Sequence, residues 1–244
     1  MAPVVLRHEK FKTMKSTIDQ RKTALTIGLA LVLMTIVAGV VMAMLFAELF
    51  TLDAHQLAVK LDGGNQFAIG ILGWVLILVL DVMVSWGLYM YYKEQNRTKA
   101  AWMGLLRLMY SVILAIGIVK LFLANAELSQ TNPNYEMVHT NIQQFQAIWQ
   151  FGLIIFGIHL LLLAPLVCKK KSILQFISAL LFVAGIGYVL SNTADLFIGD
   201  YELYRTKVEA VFVLPMVLGE FGLALWLVIR GGKESISQAK QFAF

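Results

Sequence analysis

The chain has 244 residues, of which 59% are hydrophobic and only 14% are charged, and its mean hydropathy is +0.74. Soluble domains carry roughly 45–50% apolar and 25% charged residues, so this composition excludes an ordinary soluble domain and predicts a polytopic membrane protein. The formal net charge of +5 also suits a nucleic-acid-binding protein, but the placement of the charges, described below, argues against that class. The single cysteine, Cys168, excludes an intrachain disulfide.

Residues 1–22 are polar and basic, and no apolar run precedes Ala24, so we expect no cleavable signal peptide. Apolar side chains are interspersed among the charges of this segment, which suits an amphipathic helix lying on an anionic membrane surface. A mobile basic tail is the alternative interpretation. In either case the segment is predicted to be cytoplasmic.

A helix needs about 20 apolar residues to cross the hydrocarbon core of a membrane. Six segments meet this requirement, here called spans one to six: residues 24–50, 67–92, 101–124, 147–168, 173–194 and 209–230. The predicted fold class is therefore all-α, a polytopic bundle of six transmembrane helices. We assign residues 23–231 to this domain and residues 232–244 to a short cytoplasmic tail. The longest predicted loop, about 124–146, carries the turn signal Asn132-Pro133-Asn134.

The basic residues predict the orientation of the bundle, because cytoplasmic loops carry an excess of Lys and Arg. Of the 20 Lys and Arg residues, 15 lie on the side that holds both termini, three lie on the other side, and two lie within span three. Both termini are therefore predicted to be cytoplasmic. The basic balance is then a topology signal, and we expect no nucleic-acid partner.

Span one carries Gly39, Ala43 and Ala47 at four-residue spacing, which forms a stripe of small residues along one helix face. Small residues let another helix approach closely. We expect this stripe to pack within the chain rather than to form a dimer contact.

Four ionisable residues lie well inside the predicted spans: Asp81 in span two, Arg107 in span three, His159 in span four and Glu220 in span six. Intramembrane charges usually face the bundle interior or a water-filled cavity. From the helical rise, each residue lies about 9–16 Å from the cytoplasmic end of its span, so four helices bring ionisable groups to one layer. We expect a nearly charge-balanced cluster in which Asp81 and Glu220 are the partners of Arg107.

Two serines extend this inner layer. Ser85 follows Asp81 by four residues and Ser111 follows Arg107 by four, so each shares a helix face with its charged neighbour. In span six, Pro215 is expected to kink the helix close to the carboxylate. These features are typical of a ligand or ion site. A buried salt-bridge network that only holds the helices in register is the alternative.

A second group of polar residues lies at the outer ends of the spans: Glu48, Lys120, Asn125, Asn192 and Asp195. Such side chains can extend towards the headgroup region, and interfacial snorkelling is the expected interpretation. If this outer layer connects with the inner one, the two would define a path through the bundle.

We expect no cofactor and no metal. His159 is the only histidine inside the predicted spans, which argues against a bis-histidine haem. The chain has no HExxH motif and no paired Cys/His spacing of the kind that binds zinc. Lys120 lies too close to the end of span three for a retinal Schiff base.

The stretches "FGIHLLLLAPLVCKKKSILQFISALLFVAGIGYVLSNTADLF" and "VLPMVLGEFGLALWLVIRGGK" resemble the bacterial membrane proteins of the domain-of-unknown-function 4386 family. The resemblance covers about residues 24–232 and supports the six-helix topology. It implies that the family's recurring polar positions are Glu48, Asp81, Arg107, His159 and Glu220. The chain departs from the family in span four, where Trp149-Gln150 stands in place of a Tyr-Asp pair.

The first functional hypothesis is a bacterial inner-membrane protein that binds or moves a small ligand, a lipid headgroup or a proton. Arg107 would bind an anionic group, Asp81 and Glu220 would exchange protons, and His159 would act as a pH-sensitive relay.

The second hypothesis is a scaffold or accessory subunit of a larger membrane complex, in which the cluster is purely structural and other subunits are the partners. An intramembrane enzyme that uses Asp81, His159 and Glu220 has the weakest support, because no known catalytic spacing is present.

Overall fold

The structure, a computed structural model, describes residues 2–61, 65–170, 172–198 and 202–233. Side chains are described from Asp19 onward within these ranges, except at Met44, residues 202–207 and Glu209. Residues 234–244 of the predicted tail at 232–244, and the side chains of residues 1–18, lie outside the described part. The prediction of an amphipathic N-terminal segment therefore stays a prediction, although its backbone is helical from Ala2.

The secondary structure of the described residues is helical. The elements are α1 (Ala2–Val41), a π-helical turn (Met42–Phe46), α2 (Ala47–Leu49), α3 (Ala54–Leu61), α4 (Gln66–Tyr92), α5 (Arg97–Leu128), α6 (Tyr135–Val167), α7 (Ile173–Phe197) and α8 (Glu202–Ile229). Six of them are long and apolar enough to cross a membrane: α1 from Asp19, α4, α5, α6, α7, and α8 from Ala210. The prediction of an all-α bundle with six transmembrane helices is confirmed.

The six spanning helices form a closed ring. Each packs on the spanning helix that follows it in the chain, from α1 and α4 to α7 and α8, and α1 also packs on α8. We call the end of this ring that carries Lys93, Lys169 and Arg230 the basic end, and the end that carries Glu48 and Lys60 the opposite end.

The connection between α5 and α6 is shorter than the predicted loop at 124–146. Helix α5 continues to Leu128 and α6 begins at Tyr135, so only residues 129–134 form the turn. The side chain of Asn134 caps α6 by accepting a hydrogen bond from the backbone N–H of Met137 at 3.2 Å. The prediction was wrong because a count of apolar residues measures only the hydrocarbon-spanning part of a helix, and both helices continue beyond it.

The small-residue stripe of span one was also interpreted wrongly. A Cβ added to Gly39 would meet nothing within 4 Å, and Gly39, Ala43 and Ala47 are all exposed. Gly28 makes the close approach instead, because a Cβ there would lie 2.9 Å from the backbone oxygen of Ala224 on α8. The inward face of α1 is therefore the face that carries Gly28.

Helices α6 and α7 come close enough to touch along their backbones. A Cβ added to Gly157 would lie 2.8 Å from the carbonyl oxygen of Gly185, and a Cβ at Gly185 would lie 2.8 Å from that of Gly157. Because helix backbones cannot move apart without disturbing the packing around them, these two positions require glycine.

Replacing Gly157 by alanine is expected to lower the free energy of unfolding by about 1–2 kcal/mol, since the added methyl group would overlap the backbone of α7. Reversible denaturation in mixed micelles measures this change. Gly39→Ala is the matched control, and it should be neutral or slightly stabilising because alanine favours helix and its methyl group meets open space. Equal effects of the two substitutions would contradict the backbone contact.

The ring closes at the basic end through Arg21 of α1. Its guanidinium donates hydrogen bonds to three backbone oxygens at the end of α8: Leu227 at 3.1 Å, Val228 at 2.6 Å and Gly231 at 2.7 Å. Gly232 follows with a φ of 71°, and a Cβ there would lie 2.8 Å from the Cα of Arg21. Arg21 therefore caps α8 from a neighbouring helix.

Candidate functional site

The centre of the site is an ion pair between two helices. A guanidinium nitrogen of Arg107 on α5, Nη2, lies 2.6 Å from Oδ1 of Asp81 on α4, and both side chains are only 1% exposed. The polar positions in spans two and three predicted this pair, because charged side chains in a span turn away from lipid. The pairing of Asp81 with Arg107 is therefore confirmed.

Ser111 completes the coordination of the carboxylate. Its hydroxyl lies 2.5 Å from the other oxygen of Asp81, Oδ2, and 3.1 Å from the backbone oxygen of Arg107 one turn earlier. The four-residue spacing correctly placed Ser111 beside the charged layer. Ser85 has a different role, because its hydroxyl donates to the backbone oxygen of Gly104 at 2.8 Å and so joins α4 to α5.

His159 on α6 lies against the same guanidinium. Its Nδ1 is 2.8 Å from the backbone oxygen of Met103, and its Nε2 is 3.3 Å from Nη1 of Arg107. A carbonyl oxygen only accepts hydrogen bonds, so Nδ1 carries a hydrogen, and Nε2 then accepts from Arg107. In this arrangement the imidazole is neutral and serves as an acceptor, which does not favour the hypothesis of a pH-sensitive relay.

The remaining surface of Arg107 is covered by less polar groups. The ring of Phe156 lies 5.1 Å from the guanidinium carbon in a cation–π contact, and the sulfur of Met34 lies 3.9 Å from Nη2. The Nε atom of Arg107 is buried and has no hydrogen-bond partner among the described residues. We call Asp81, Arg107, Ser111 and His159 the polar cluster. It joins α4, α5 and α6 into one network.

Glu220 lies beside the polar cluster rather than in it. Its Oε1 accepts a hydrogen bond from the hydroxyl of Tyr188 on α7 at 3.4 Å. Tyr188 packs edge-on against Phe156 with ring centroids 5.4 Å apart, and Phe156 in turn covers Arg107. Among the described residues the ion pair of Arg107 is with Asp81, so the prediction that Glu220 is also a partner of Arg107 was wrong.

This arrangement leaves one carboxylate in excess. Asp81 and Arg107 neutralise each other at 2.6 Å, whereas Glu220 has a single long hydrogen bond to a neutral hydroxyl. An ionised carboxylate within a span is costly unless it is paired. Glu220 is therefore the residue of the inner layer that is chemically suited to take up and release a proton or a cation.

Between Glu220 and the opposite end of the bundle lies a cavity of about 690 Å³. We call it the amide cavity after its polar side chains, which are Thr51, Gln143, Gln146, Gln150, Tyr188, Ser191 and Asn192. Its apolar lining includes Phe50, Trp149, Met216 and residues beside the π-helical turn. π-helical turns occur frequently at functional sites. Tyr188 lines this cavity and also bonds to Glu220, so it connects the two.

Aromatic side chains link the wall of the amide cavity to the polar cluster. Trp149 donates from its indole N–H to the hydroxyl of Tyr110 at 3.3 Å, and the Tyr110 ring lies 5.0 Å from that of Phe156. On its other side, Trp149 packs on Trp74 at 5.1 Å between ring centroids. This aromatic packing gives the cavity a rigid wall.

The predicted outer-layer residues do not form one group. Glu48 pairs with Lys60 of α3 at 2.6 Å, and both side chains are partly exposed. Asn192 donates to the backbone oxygen of Tyr188 at 2.8 Å and lines the amide cavity, while Asp195 accepts a hydrogen bond from Gln150 at its rim.

Lys120 and Asn125 lie half-buried on α5 and are not among the described residues that line the amide cavity. Within the described part of the chain, no three His, Cys, Asp or Glu side chains come together in a way that could hold a metal ion.

Comparison with known proteins identifies the family of the chain. A family model described as "Domain of unknown function (DUF4386)" matches residues 26–231. The chain belongs to the DUF4386 family. A protein of Archaeoglobus fulgidus described as "Uncharacterized protein" is 31% identical over 166 residues, which cover 68% of this chain and 85% of that protein. No solved structure matches the chain significantly.

The DUF4386 match contains the whole candidate site. It runs from span one to Gly231, so it includes Asp81, Arg107, His159, Glu220 and the lining of the amide cavity. The resemblance read from spans four to six is thus confirmed. Trp149 and Gln150, where the chain departs from the expected pattern of this family, both line the amide cavity.

Most of the residues that line the amide cavity were not predicted from the sequence. Gln143 and Gln146 lie in the segment assigned to the loop at 124–146, and Tyr188 was not singled out. The repeated amides of "NIQQFQAIWQ", which begins at Asn141, could have indicated the cavity. Polar side chains on a helix that enters the membrane mark a face that is turned away from lipid.

Proposed function

We propose that this protein is a multi-pass protein of a bacterial inner membrane that binds a small, uncharged polar solute in the amide cavity and exchanges a proton at Glu220. The single observation that carries the proposal is the connection through Tyr188, which lines the cavity and hydrogen-bonds to the intramembrane carboxylate. Both termini are assigned to the cytoplasm by the excess of basic residues. The cavity then faces the outside.

The size and lining of the amide cavity support a solute of this class. Ligand pockets typically enclose about 300–1,000 Å³, and the amide cavity has about 690 Å³. Side-chain amides and hydroxyls both donate and accept hydrogen bonds, which suits hydroxyl or amide groups of a ligand. None of the described lining side chains carries a formal charge. The aromatic wall supplies flat apolar faces for the rest of the molecule.

The position of Glu220 supports its role in proton exchange. Glu220 follows Met216, which lines the cavity, by four residues. The carboxylate therefore lies on the same face of α8, one helical turn closer to the basic end. A solute that takes the hydrogen bond of the Tyr188 hydroxyl would remove the only described hydrogen bond of the Glu220 carboxylate. A proton from the cavity would then neutralise it, which couples the occupancy of the cavity to the charge of Glu220.

Cysteine accessibility tests the cavity directly. In a Cys168→Ser background, Ser191→Cys places a thiol in the cavity, while Ser178→Cys on the same helix is a matched control because Ser178 is buried against α6. A membrane-impermeant thiosulfonate should label Ser191→Cys roughly tenfold faster, since thiol reactivity follows access to solvent. Equal labelling rates would contradict an accessible cavity.

Binding and proton exchange are then tested separately. Glycerol, sorbitol and urea are used as uncharged probes, and at least one of them should slow the labelling of Ser191→Cys without slowing that of an exposed cysteine outside the cavity, such as Thr131→Cys in the turn between α5 and α6. With Glu220→Gln, labelling should persist, but proton uptake into proteoliposomes on addition of that solute should be lost. Protection by none of the probes contradicts the proposed solute class, and unchanged proton uptake contradicts the role of Glu220.

A further inference from the structure

A groove separates α7 and α8 at the basic end of the bundle. The two helices are in close contact at Gly219, where an added Cβ would lie 3.1 Å from the backbone nitrogen of Leu181. One turn later, at Gly222, the nearest atom to an added Cβ would be a side-chain carbon of Ile177 at 3.6 Å. The helices therefore diverge from Gly219 towards the basic end, and a cavity of about 680 Å³ lies between them.

The length and lining of this groove match one acyl chain. The groove runs from Leu218 to Arg230 along α8, roughly 18 Å at the helical rise, and one leaflet of a bilayer contributes about 15 Å of hydrocarbon. Its walls are apolar over most of this length, and they include Phe176, Ile177, Leu180, Leu218 and Ile229. Because α7 and α8 leave this space open, a flexible apolar molecule that fills it gains close contacts with both helices.

A smaller, polar niche adjoins the groove. The niche has a volume of about 290 Å³ and is lined by side chains from four helices and their connections, among them Tyr91, Tyr92, Gln95 and Cys168. Niche and groove share four residues: Lys169, Leu174, Trp226 and Arg230. Arg230, an exposed cation, therefore lies beside Lys169 where the polar niche meets the apolar groove.

We propose that the niche and groove together form a binding site for one anionic phospholipid. The phosphate and headgroup would occupy the niche beside Lys169 and Arg230, and one acyl chain would lie in the groove between α7 and α8. Trp226 stands between them, at the level where amphipathic aromatic rings favour the membrane interface. The site lies at the basic end, away from the amide cavity, so it does not rest on the proposed function.

The charge and shape of the site specify this ligand. Lys and Arg at a membrane surface attract anionic headgroups, and arginine also forms paired hydrogen bonds with phosphate oxygens. A zwitterionic phospholipid offers the same phosphate and chains but carries an added cation, which the guanidinium of Arg230 would repel. A soluble phosphate ester would occupy the niche but leave the groove empty. The ligand is therefore a lipid with net negative charge.

Native mass spectrometry of the purified full chain tests the site. The protein is mixed in detergent with equal amounts of phosphatidylglycerol and phosphatidylcholine, and the bound fraction of each lipid is measured. We expect one phosphatidylglycerol to be retained preferentially. Arg230→Gln should reduce its affinity roughly fivefold, which corresponds to the contribution of one cation near a membrane surface. Gly222→Leu should reduce it as well, by filling the groove with a side chain.

Matched controls separate this site from general attraction and from misfolding. Lys99→Gln removes a cation from the same end of the bundle but outside both spaces, and Gly39→Leu adds the same side chain where an added Cβ meets open space. Both controls should retain phosphatidylglycerol as the native chain does. Equal losses in Arg230→Gln and Lys99→Gln would overturn the proposal, as would full retention in Gly222→Leu. Size-exclusion chromatography and thermal unfolding confirm that each variant is folded before it is compared.

Discussion

Replacing Arg107 by methionine is expected to lower the free energy of unfolding by about 3–5 kcal/mol, because it breaks a buried ion pair. The substitution leaves Asp81 buried without the cation that lies 2.6 Å away and removes the donor to His159. An uncompensated carboxylate at this depth costs far more than the lost contact alone. Reversible denaturation in mixed micelles measures the change.

Two further variants isolate the ion pair. Lys120→Met removes a positive charge from a half-buried position on the same helix, and it should change the free energy of unfolding by less than about 1 kcal/mol. Asp81→Asn combined with Arg107→Met removes both charges, and this double variant should be clearly more stable than Arg107→Met alone. If the double variant were as unstable as the sum of the two single ones, the charges would not depend on each other.

The same double variant separates the two interpretations of the cluster. If the polar cluster only holds α4, α5 and α6 in register, a folded double variant should retain both the labelling of Ser191→Cys in the amide cavity and proton uptake. If the positive charge of Arg107 is needed to hold Glu220 beside Tyr188, the variant should lose proton uptake while it keeps cavity labelling. We expect the second result, because Phe156 contacts both the guanidinium of Arg107 and the ring of Tyr188, whose hydroxyl bonds to Glu220.

The sequence was sufficient to predict those parts of the site that follow from the position of each residue along its own helix. Charged side chains within a span must face inward, so Asp81 and Arg107 could be expected to meet, and the four-residue spacing placed Ser111 beside them. The predicted spans agree with the helices for a similar reason, because the thickness of the hydrocarbon core fixes the length of an apolar run.

The sequence was not sufficient wherever the rotation of a helix about its axis decides the contact. In a membrane both the lipid-facing and the inward-facing sides of a helix are apolar, so apolar periodicity does not reveal which side is which. For this reason the stripe of small residues at Gly39 was predicted to pack on another helix, although it is exposed. The contact of Tyr188 with Glu220 depends on the relative rotation of α7 and α8, and neither residue has a spacing that signals it.

Helix ends beyond the hydrocarbon core were the second source of error. The amides of Gln143 and Gln146 lie on α6, yet they precede the predicted start of span four at residue 147. Polar residues at the end of a spanning helix have the same composition as a loop. Counting apolar residues therefore could not predict the cavity that they line. The capping residue Asn134 does mark the start of the helix.

Replacing Arg21 by alanine is expected to lower the free energy of unfolding by about 2–4 kcal/mol and to loosen the end of α8. The side chain donates three hydrogen bonds to backbone oxygens of residues 227, 228 and 231, and hydrogen bonds from a charged donor contribute about 1.5–3 kcal/mol each where they are shielded. Partial exposure of Arg21 reduces that sum. Hydrogen exchange at the amides of Arg230 and Gly231 reports the loosening directly, since both donate into the last turn of α8.

The matched control is Lys22→Ala, which removes an exposed cation from the adjacent position and should leave both measurements nearly unchanged. Arg21→Lys keeps the charge at the C-terminal end of α8 but offers a single ammonium in place of the planar fork, so it should recover only part of the stability. Full recovery by lysine would mean that the helix dipole, rather than the three hydrogen bonds, accounts for the effect. Unchanged exchange in Arg21→Ala would contradict the cap itself.

The effect of Arg21 should be large because α8 buries a smaller share of its spanning residues than the other helices do. Its spanning segment has 22% of its residues buried, against 33–50% for the other five spans. Its contact with α1 closes the ring, and a Cβ at Gly231 would lie 2.7 Å from that of Ala24, so the seam depends on a close approach that the cap maintains. Loss of the cap should therefore open the bundle between α1 and α8, and since α8 carries Glu220, this opening should also disturb its contact with Tyr188.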